Sequence, residues 1–153
     1  MDRNDFVRDN EVLYRSVRGK YGEEYSYDNG RLQISSEAFR DRERKPSVDR
    51  AELRGSNSSL SKLRDTDGVV SLMVVDVRAI GTVKTKMQNA DAIVHAVDVI
   101  YDPTPDNPAH SQIVVSPELF GSNNKQRNVF KLLQLALAEL AEKNGWTVTP
   151  STQ

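Results

Sequence analysis

The sequence predicts an α+β domain: an antiparallel sheet with one long C-terminal helix packed on a face. Three observations carry this. Residues 69–115 hold short β-branched and aliphatic runs separated by turn signals, the pattern of a meander. "EEYSYDNGRLQIS" adds an N-terminal hairpin, because Asn29-Gly30 supplies the positive φ angles of a tight turn between Tyr25–Tyr27 and Leu32–Ser35. "NNKQRNVFKLLQLALAELAEKNGW" repeats apolar residues at helical spacing over residues 124–143. The 153 residues suit a single domain with one core, residues 1–10 and 55–66 being its expected flexible parts.

Each element has its local reason. "EVLYRSV" alternates Val12, Tyr14 and Ser16 against Leu13, Arg15 and Val17, as a short strand does. The stretch from Ser47 to Leu53 reads as a short helical piece, and "GSNSSLS" as a loop. "DGVVSLMVVDVRAIG" reads as a central strand, apolar on both faces through Val75. "TVKTKMQ" (82–88) alternates Val83, Thr85 and Met87 against Lys84 and Lys86, as an edge strand would. "AIVHAVDVIY" and "SQIVVS" complete the meander across the loop of Pro103, Pro105 and Pro108. In the helix, Val129, Leu133, Ala136, Leu137 and Leu140 make one stripe. Leu132, Leu135 and Ala138 widen it, so the helix sits deep against the sheet or also meets a second chain. Asn123 or Asn124 can cap its start, and Asn144-Gly145 ends it.

Composition excludes several classes. There is no cysteine, which removes disulfides, thiolate nucleophiles and sulfur-ligated zinc. The net charge of −1 comes from 21 basic and 22 acidic residues, not the uniform positive field of a general nucleic-acid binder. Tyr14, Tyr21, Tyr25 and Tyr27 interleave with Arg15, Arg18, Lys20 and Arg31, but the four acids between Glu11 and Asp28 work against an RNA platform. Nothing resembles a membrane span or a signal sequence, so the expected localisation is cytoplasmic. A P-loop, a GxGxxG after a strand, a GxSxG elbow and an HExxH helix are all missing; no cofactor and no metal is expected.

Candidate ligand-binding residues are Arg15, Ser36, Asp49, Arg50 and His110; if there is catalysis, His110 and Arg15 would carry it. His110 follows a rigid proline turn at a sheet end, where an imidazole can transfer a proton, bind an anion, or only hydrogen-bond loop carbonyls. Arg15, flanked by apolar residues, needs an acidic partner or a ligand. With Arg18, Lys20, Ser35, Ser36, Ser47, Asp49 and Arg50 it offers the guanidinium and hydroxyl groups of a phosphate or carboxylate site. "RDRERK", a charge-mixed loop, reads as solvated surface. His95 shares a face with Ile93, Val97, Val99 and Tyr101 and reads as a core histidine.

"LYR", "SSEAF", "PSVDRAEL", "DGVVSL", "DNPAHSQI" and the closing leucine-rich helix together resemble a group of small bacterial proteins without an established activity. The resemblance spans nearly the whole chain and implies one compact bacterial domain. A second resemblance is to ADP-ribosyltransferase-like folds, carried by Arg15, Ser35–Ser36, Phe39 and Glu118 in the family's order. The chain departs from that family in lacking its Gly-rich or STS segment and the acid or Gln before the glutamate.

The functional expectation is a non-enzymatic cytoplasmic accessory or interaction module of a bacterial assembly. It would meet another protein chain, or itself, through the 124–143 helix or the 82–88 strand. The alternative is a small enzyme or sensor acting on a nucleotide-like anion, which requires the candidate side chains to converge in one concave pocket.

Overall fold

The computed structural model describes residues 6–85, 93–119 and 124–151. In chain order the strands are β1 (Val12–Val17), β2 (Tyr25–Asp28), β3 (Arg31–Ile34), β4 (Ser47–Arg50), β5 (Gly68–Met73), β6 (Thr82–Thr85), β7 (Ile93–Tyr101), β8 (His110–Ser116) and β9 (Trp146–Val148). The helices are α1 (Val74–Ala79) and α2 (Asn124–Asn144). Seven strands form one sheet in the order β6-β7-β8-β4-β1-β5-β9, all neighbours antiparallel. The α+β class read from the sequence is the architecture observed.

The hairpin forms where Asn29-Gly30 predicts it. Asp28 pairs with Arg31, leaving Asn29 (φ 49°) and Gly30 (φ 79°) as a two-residue loop in the left-handed region. β2 and β3 do not join the large sheet; they cap one end of the core instead. The Ile34 N–H donates to Glu142 Oε1 on α2 at 2.9 Å, and Tyr25 packs edge-on against Trp146 at 5.2 Å.

The run "DGVVSLMVVDVRAIG" is not one strand. β5 ends at Met73, and Val74–Ala79 is a short helix. Val74 and Val77, three apart, are buried. The backbone N–H groups of Val74 and Val75, unpaired within any first helical turn, donate to the carbonyls of Glu11 and Asp9, both at 3.0 Å. Tertiary packing thus overrides the β propensity of a valine-rich run. The meander is correspondingly shorter than expected, β6–β7–β8, and β5 lies at the other side of the sheet between β1 and β9.

One further expectation needs correcting. Ser47–Arg50 is a strand and only Ala51–Arg54 turns, as a 3-10 helix; pairing with distant β1 and β8 decides this. Of the 82–88 strand, residues 82–85 form the edge strand β6, and 86–88 lie outside the described residues. The segments expected to be flexible carry fixed points: Val7 is buried, and Ser61 in the 3-10 turn Ser58–Ser61 donates to Asp49 at 2.7 Å.

α2 packs Val129, Phe130, Leu133, Leu137, Ala138 and Ala141 into a core shared with Leu13, Phe39, Leu72, Val99 and Ile113. Leu132 and Leu135 are half exposed, so the widened stripe is only partly filled by this chain. α2 touches both β5 and β6, which lie far apart in the strand order, so the sheet curls around the helix. On the outer face, Tyr14, Ala51 and Val69 make a second small cluster under the 3-10 turns. The site lies beside it.

Candidate functional site

The site begins with a break in strand pairing. β1 pairs with β5 along all six residues, but with β4 only at Leu13↔Arg50 and Tyr14↔Asp49. β4 meanwhile stays on β8 through Ser47↔Gln112, Val48↔Ser111 and Asp49↔His110. Beyond Tyr14 the two strands therefore part. A cavity of about 390 Å³ opens in the split, with residues of β1, β4 and the loops at 37–40 and 60–64 in its walls. That volume is near the small end of the roughly 300–1,000 Å³ typical of small-molecule sites.

Arg15 holds the split. Its Nε donates to the Ala38 carbonyl at 2.9 Å, Nη1 to the Ser47 carbonyl at 2.7 Å, and Nη2 to the Arg40 carbonyl at 3.1 Å. The Phe39 ring lies 5.7 Å from the guanidinium carbon. Three of the five guanidinium N–H groups are thus spent, leaving one on each terminal nitrogen. All three acceptors are neutral, and no carboxylate among the described residues lies within ion-pair distance of Arg15. Burial lowers its pKa from the ordinary arginine value, against the opposing fields of Glu24 and Asp41. A half-buried positive charge thus borders the cavity without a direct counter-ion among the described residues.

The remaining charges are arranged asymmetrically. The lining holds six basic side chains (Arg15, Arg18, Arg40, Arg54, Lys62, Arg64) against four acidic ones (Glu24, Glu37, Asp49, Asp67), a net of two positive charges. The buried acids are committed to the protein. Asp49 accepts from Asn107 at 2.8 Å, Ser61 at 2.7 Å, and Arg54 twice, at 3.1 and 3.2 Å. Asp67 accepts from the Ser16 hydroxyl at 2.8 Å and from the backbone of Arg64 at 3.2 Å and Gly19 at 3.3 Å. The rim cations are held more loosely: Arg18 to Glu23 at 3.4 Å, Arg64 to Asp67 at 3.5 Å, and Arg40 to Glu37 and Glu24 at 3.8 and 3.9 Å. Their side chains are 42%, 56% and 61% exposed, respectively. Leu60 and Leu63 stand on the lip, 54% and 79% exposed.

His110 reaches the cavity from β8. Its Nδ1 lies 2.7 Å from the Asp102 carbonyl and 3.5 Å from the Asp102 carboxylate; Nε2 lies 3.0 Å from the Ser47 hydroxyl. A carbonyl oxygen only accepts, so Nδ1 carries the proton, and Nε2 of the neutral ring accepts from Ser47.

Arg15, Asp49 and His110 are therefore brought together, whereas Arg50 and Ser36 are not among the lining residues. Arg50 is buried with Glu11, donating to its two carboxylate oxygens at 2.7 and 2.9 Å, and lies 4.8 Å from the Tyr101 ring. Burial raises the Glu11 pKa, but the bonds and charges of Arg50 and Arg8 outweigh it and hold the carboxyl below its ordinary value. Ser36 is buried; its hydroxyl accepts from Lys131 at 2.6 Å and its carbonyl from Gln134 at 3.1 Å, docking the Ser36–Phe39 turn on α2. Glu118 pairs with Lys45 at 3.1 Å, away from the cavity. His95 is buried with Nδ1 2.6 Å from the Pro117 carbonyl. The site also recruits residues that sequence reading passed over, namely Arg40, Arg54, Ser61, Arg64 and Asn107. Only the density of arginine in residues 40–64 hinted at them.

Among the described residues, no group of histidine and acidic side chains is placed to hold a metal ion. No helix there is long and apolar enough to cross a membrane. Fold and site define a class in physical terms: an α+β domain whose sheet splits around a cavity bordered by a half-buried arginine. Compared with family models, curated proteins and solved structures, the chain matches none.

Proposed function

We propose that the domain binds a small organic anion, nucleotide-like in chemistry, in the split between β1 and β4. The observation that carries this reading is the Arg15 guanidinium: a half-buried charge at the cavity with only neutral acceptors and two N–H groups to spare. A phosphate or carboxylate placed against it supplies the missing counter-charge. Arg18, Arg40 and Arg64 add attraction at the rim, and Leu60 and Leu63 offer apolar surface to the rest of the ligand.

A thermal-shift titration with inorganic phosphate, AMP and adenosine tests it. A ligand at 100 times its dissociation constant adds about 2.7 kcal/mol of stability. AMP should raise the melting temperature, phosphate less so, and adenosine least. The AMP shift should shrink in Arg40→Ala and with added salt. No shift with any phosphate-bearing compound at 10 mM, on the order of a very weak site, sinks the reading.

As a second reading, we propose a cytoplasmic accessory module that meets another chain through α2 or the β6 edge. The half-exposed Leu132 and Leu135 support it. Analytical ultracentrifugation, alone and with Leu132→Lys, checks the self-association form.

A further inference from the structure

At the wall of the same cavity, three side chains from separate parts of the chain stand in relay. The Ser47 hydroxyl lies 3.0 Å from His110 Nε2, and the opposite ring nitrogen lies 2.7 Å from the Asp102 carbonyl and 3.5 Å from its carboxylate. We propose that Ser47 is a nucleophile activated by His110, acting on carboxylic esters whose acyl or alcohol part carries an anionic group; this rests on the anion reading of the cavity.

The bland alternative is a serine that merely satisfies a histidine, and three features argue against it. First, both side chains line the cavity and are not closed off within the core. Second, the pair sits on rigid backbone. Ser47↔Gln112 and Asp49↔His110 register β4 on β8, so Ser47 and His110 are diagonal neighbours on one face. The Asp102 N–H donates to the His110 carbonyl at 3.0 Å, and the Tyr101 hydroxyl to the Pro108 carbonyl at 2.7 Å, tying both ends of the proline loop. Third, the tautomer is the one the chemistry needs: Nδ1–H is held by Asp102, which leaves the Nε2 lone pair aimed at the hydroxyl.

The step balances without any redox partner. As Ser47 Oγ bonds the ester carbonyl carbon, its proton passes to His110 Nε2, and the Asp102 carboxylate faces the imidazolium that forms. Arg15, bonded to the carbonyl of Ser47 itself, puts positive charge beside the developing oxyanion. Collapse breaks the carbonyl carbon–alkoxy oxygen bond, and the leaving alcohol takes the proton from Nε2. Water then attacks the acyl group on Ser47 by the same relay, releasing the acid and restoring the hydroxyl.

The test uses a fluorophosphonate probe on the full chain. Ser47 Oγ should displace fluoride, its proton leaving by way of His110, and intact-mass analysis with peptide mapping should find one adduct, on Ser47. Ser47→Ala should not label. His110→Gln, checked for folding by its circular dichroism melt, should label at least tenfold more slowly. An unlabelled Ser47 in the wild type overturns the proposal, as does a folded His110→Gln that labels at the wild-type rate. In the wild type, a missing adduct on Ser47 beside an intact AMP-induced thermal shift removes the nucleophile and spares the anion site. A second readout compares p-nitrophenyl esters of succinate (one free carboxylate) and of butyrate. The anionic ester should turn over at least tenfold faster; equal turnover by a labelled Ser47 overturns the anionic substrate class alone.

Discussion

Arg15 donates from Nη1 to the carbonyl of Ser47 at 2.7 Å, across the point where β1 and β4 have ceased to pair. A side chain here replaces the ladder bond that two strands would ordinarily exchange. Both halves of the site depend on that contact, because Arg15 carries the charge and Ser47 the hydroxyl beside His110.

Arg15→Ala should lower stability by roughly 2–4 kcal/mol, since three carbonyls lose their donor at once and each such bond is worth about 1 kcal/mol net or more when the donor is charged. It should also abolish the AMP-induced shift. Urea unfolding measures the first and thermal shift the second. A variant as stable as the wild type would mean that Arg15 does not hold the split.

Asp49→Ala separates wall from ligand contact. Its carboxylate accepts from Arg54, Ser61 and Asn107. Removing it should cost roughly 2–4 kcal/mol, the order expected when charge-assisted bonds are lost from a buried network. Phosphate-bearing ligands should still bind, with less acidic charge opposing them. Isothermal titration calorimetry with AMP decides; lost binding in a folded variant would make Asp49 a ligand residue.

The Glu11–Arg50 pair sets an acid limit to stability. The folded-state pKa of Glu11 is lowered from its ordinary 4.5, so the stabilisation is present above that value and is lost as pH falls through the folded pKa. Denaturant midpoints for wild type and Glu11→Gln should differ most near neutrality and converge as the pH falls through the lowered folded-state pKa of Glu11. A gap that stays constant from pH 7 to pH 3 would remove Glu11 as its source.

On α2, Leu133→Ala should cost about 2–5 kcal/mol, as expected for a fully buried leucine. Leu132→Ala, one residue away but half exposed, should stay within about 0.5 kcal/mol in the monomer. Parallel urea titrations test this. Similar losses would mean that the helix is rotated from the orientation described.

What could be read from the sequence was what is local. Val129, Leu133 and Leu137 recur at helical spacing, and Asn29-Gly30 turns the hairpin with its own φ angles. Val74–Ala79 escaped because six valine-rich residues carry the same composition as the strand before them. Their helix is fixed by the carbonyls of Asp9 and Glu11, more than sixty residues away. The site divided in the same way. Arg15 stood out because its apolar neighbours left it needing a partner, yet it found carbonyls in place of an acid. Arg50, its companion in the sequence reading, found Glu11 and does not line this cavity. Ser47 and His110, 63 residues apart, meet through a strand register that no spacing encodes.

The short seam between β1 and β4 also has a mechanical meaning. Two paired positions, Leu13↔Arg50 and Tyr14↔Asp49, join one plate of strands (β6, β7, β8, β4) to another (β1, β5, β9). The segment at 61–63 straps both, Ser61 bonding Asp49 on one plate while the Leu63 N–H donates to Ser16 on the other. An anion gripping Arg15 from the gap would stiffen this hinge. Amide hydrogen exchange at the paired Tyr14 and Asp49 should therefore slow on adding AMP while exchange within β7 stays unchanged. Occupancy of a small cavity would then be readable in the rigidity of the seam between the two plates.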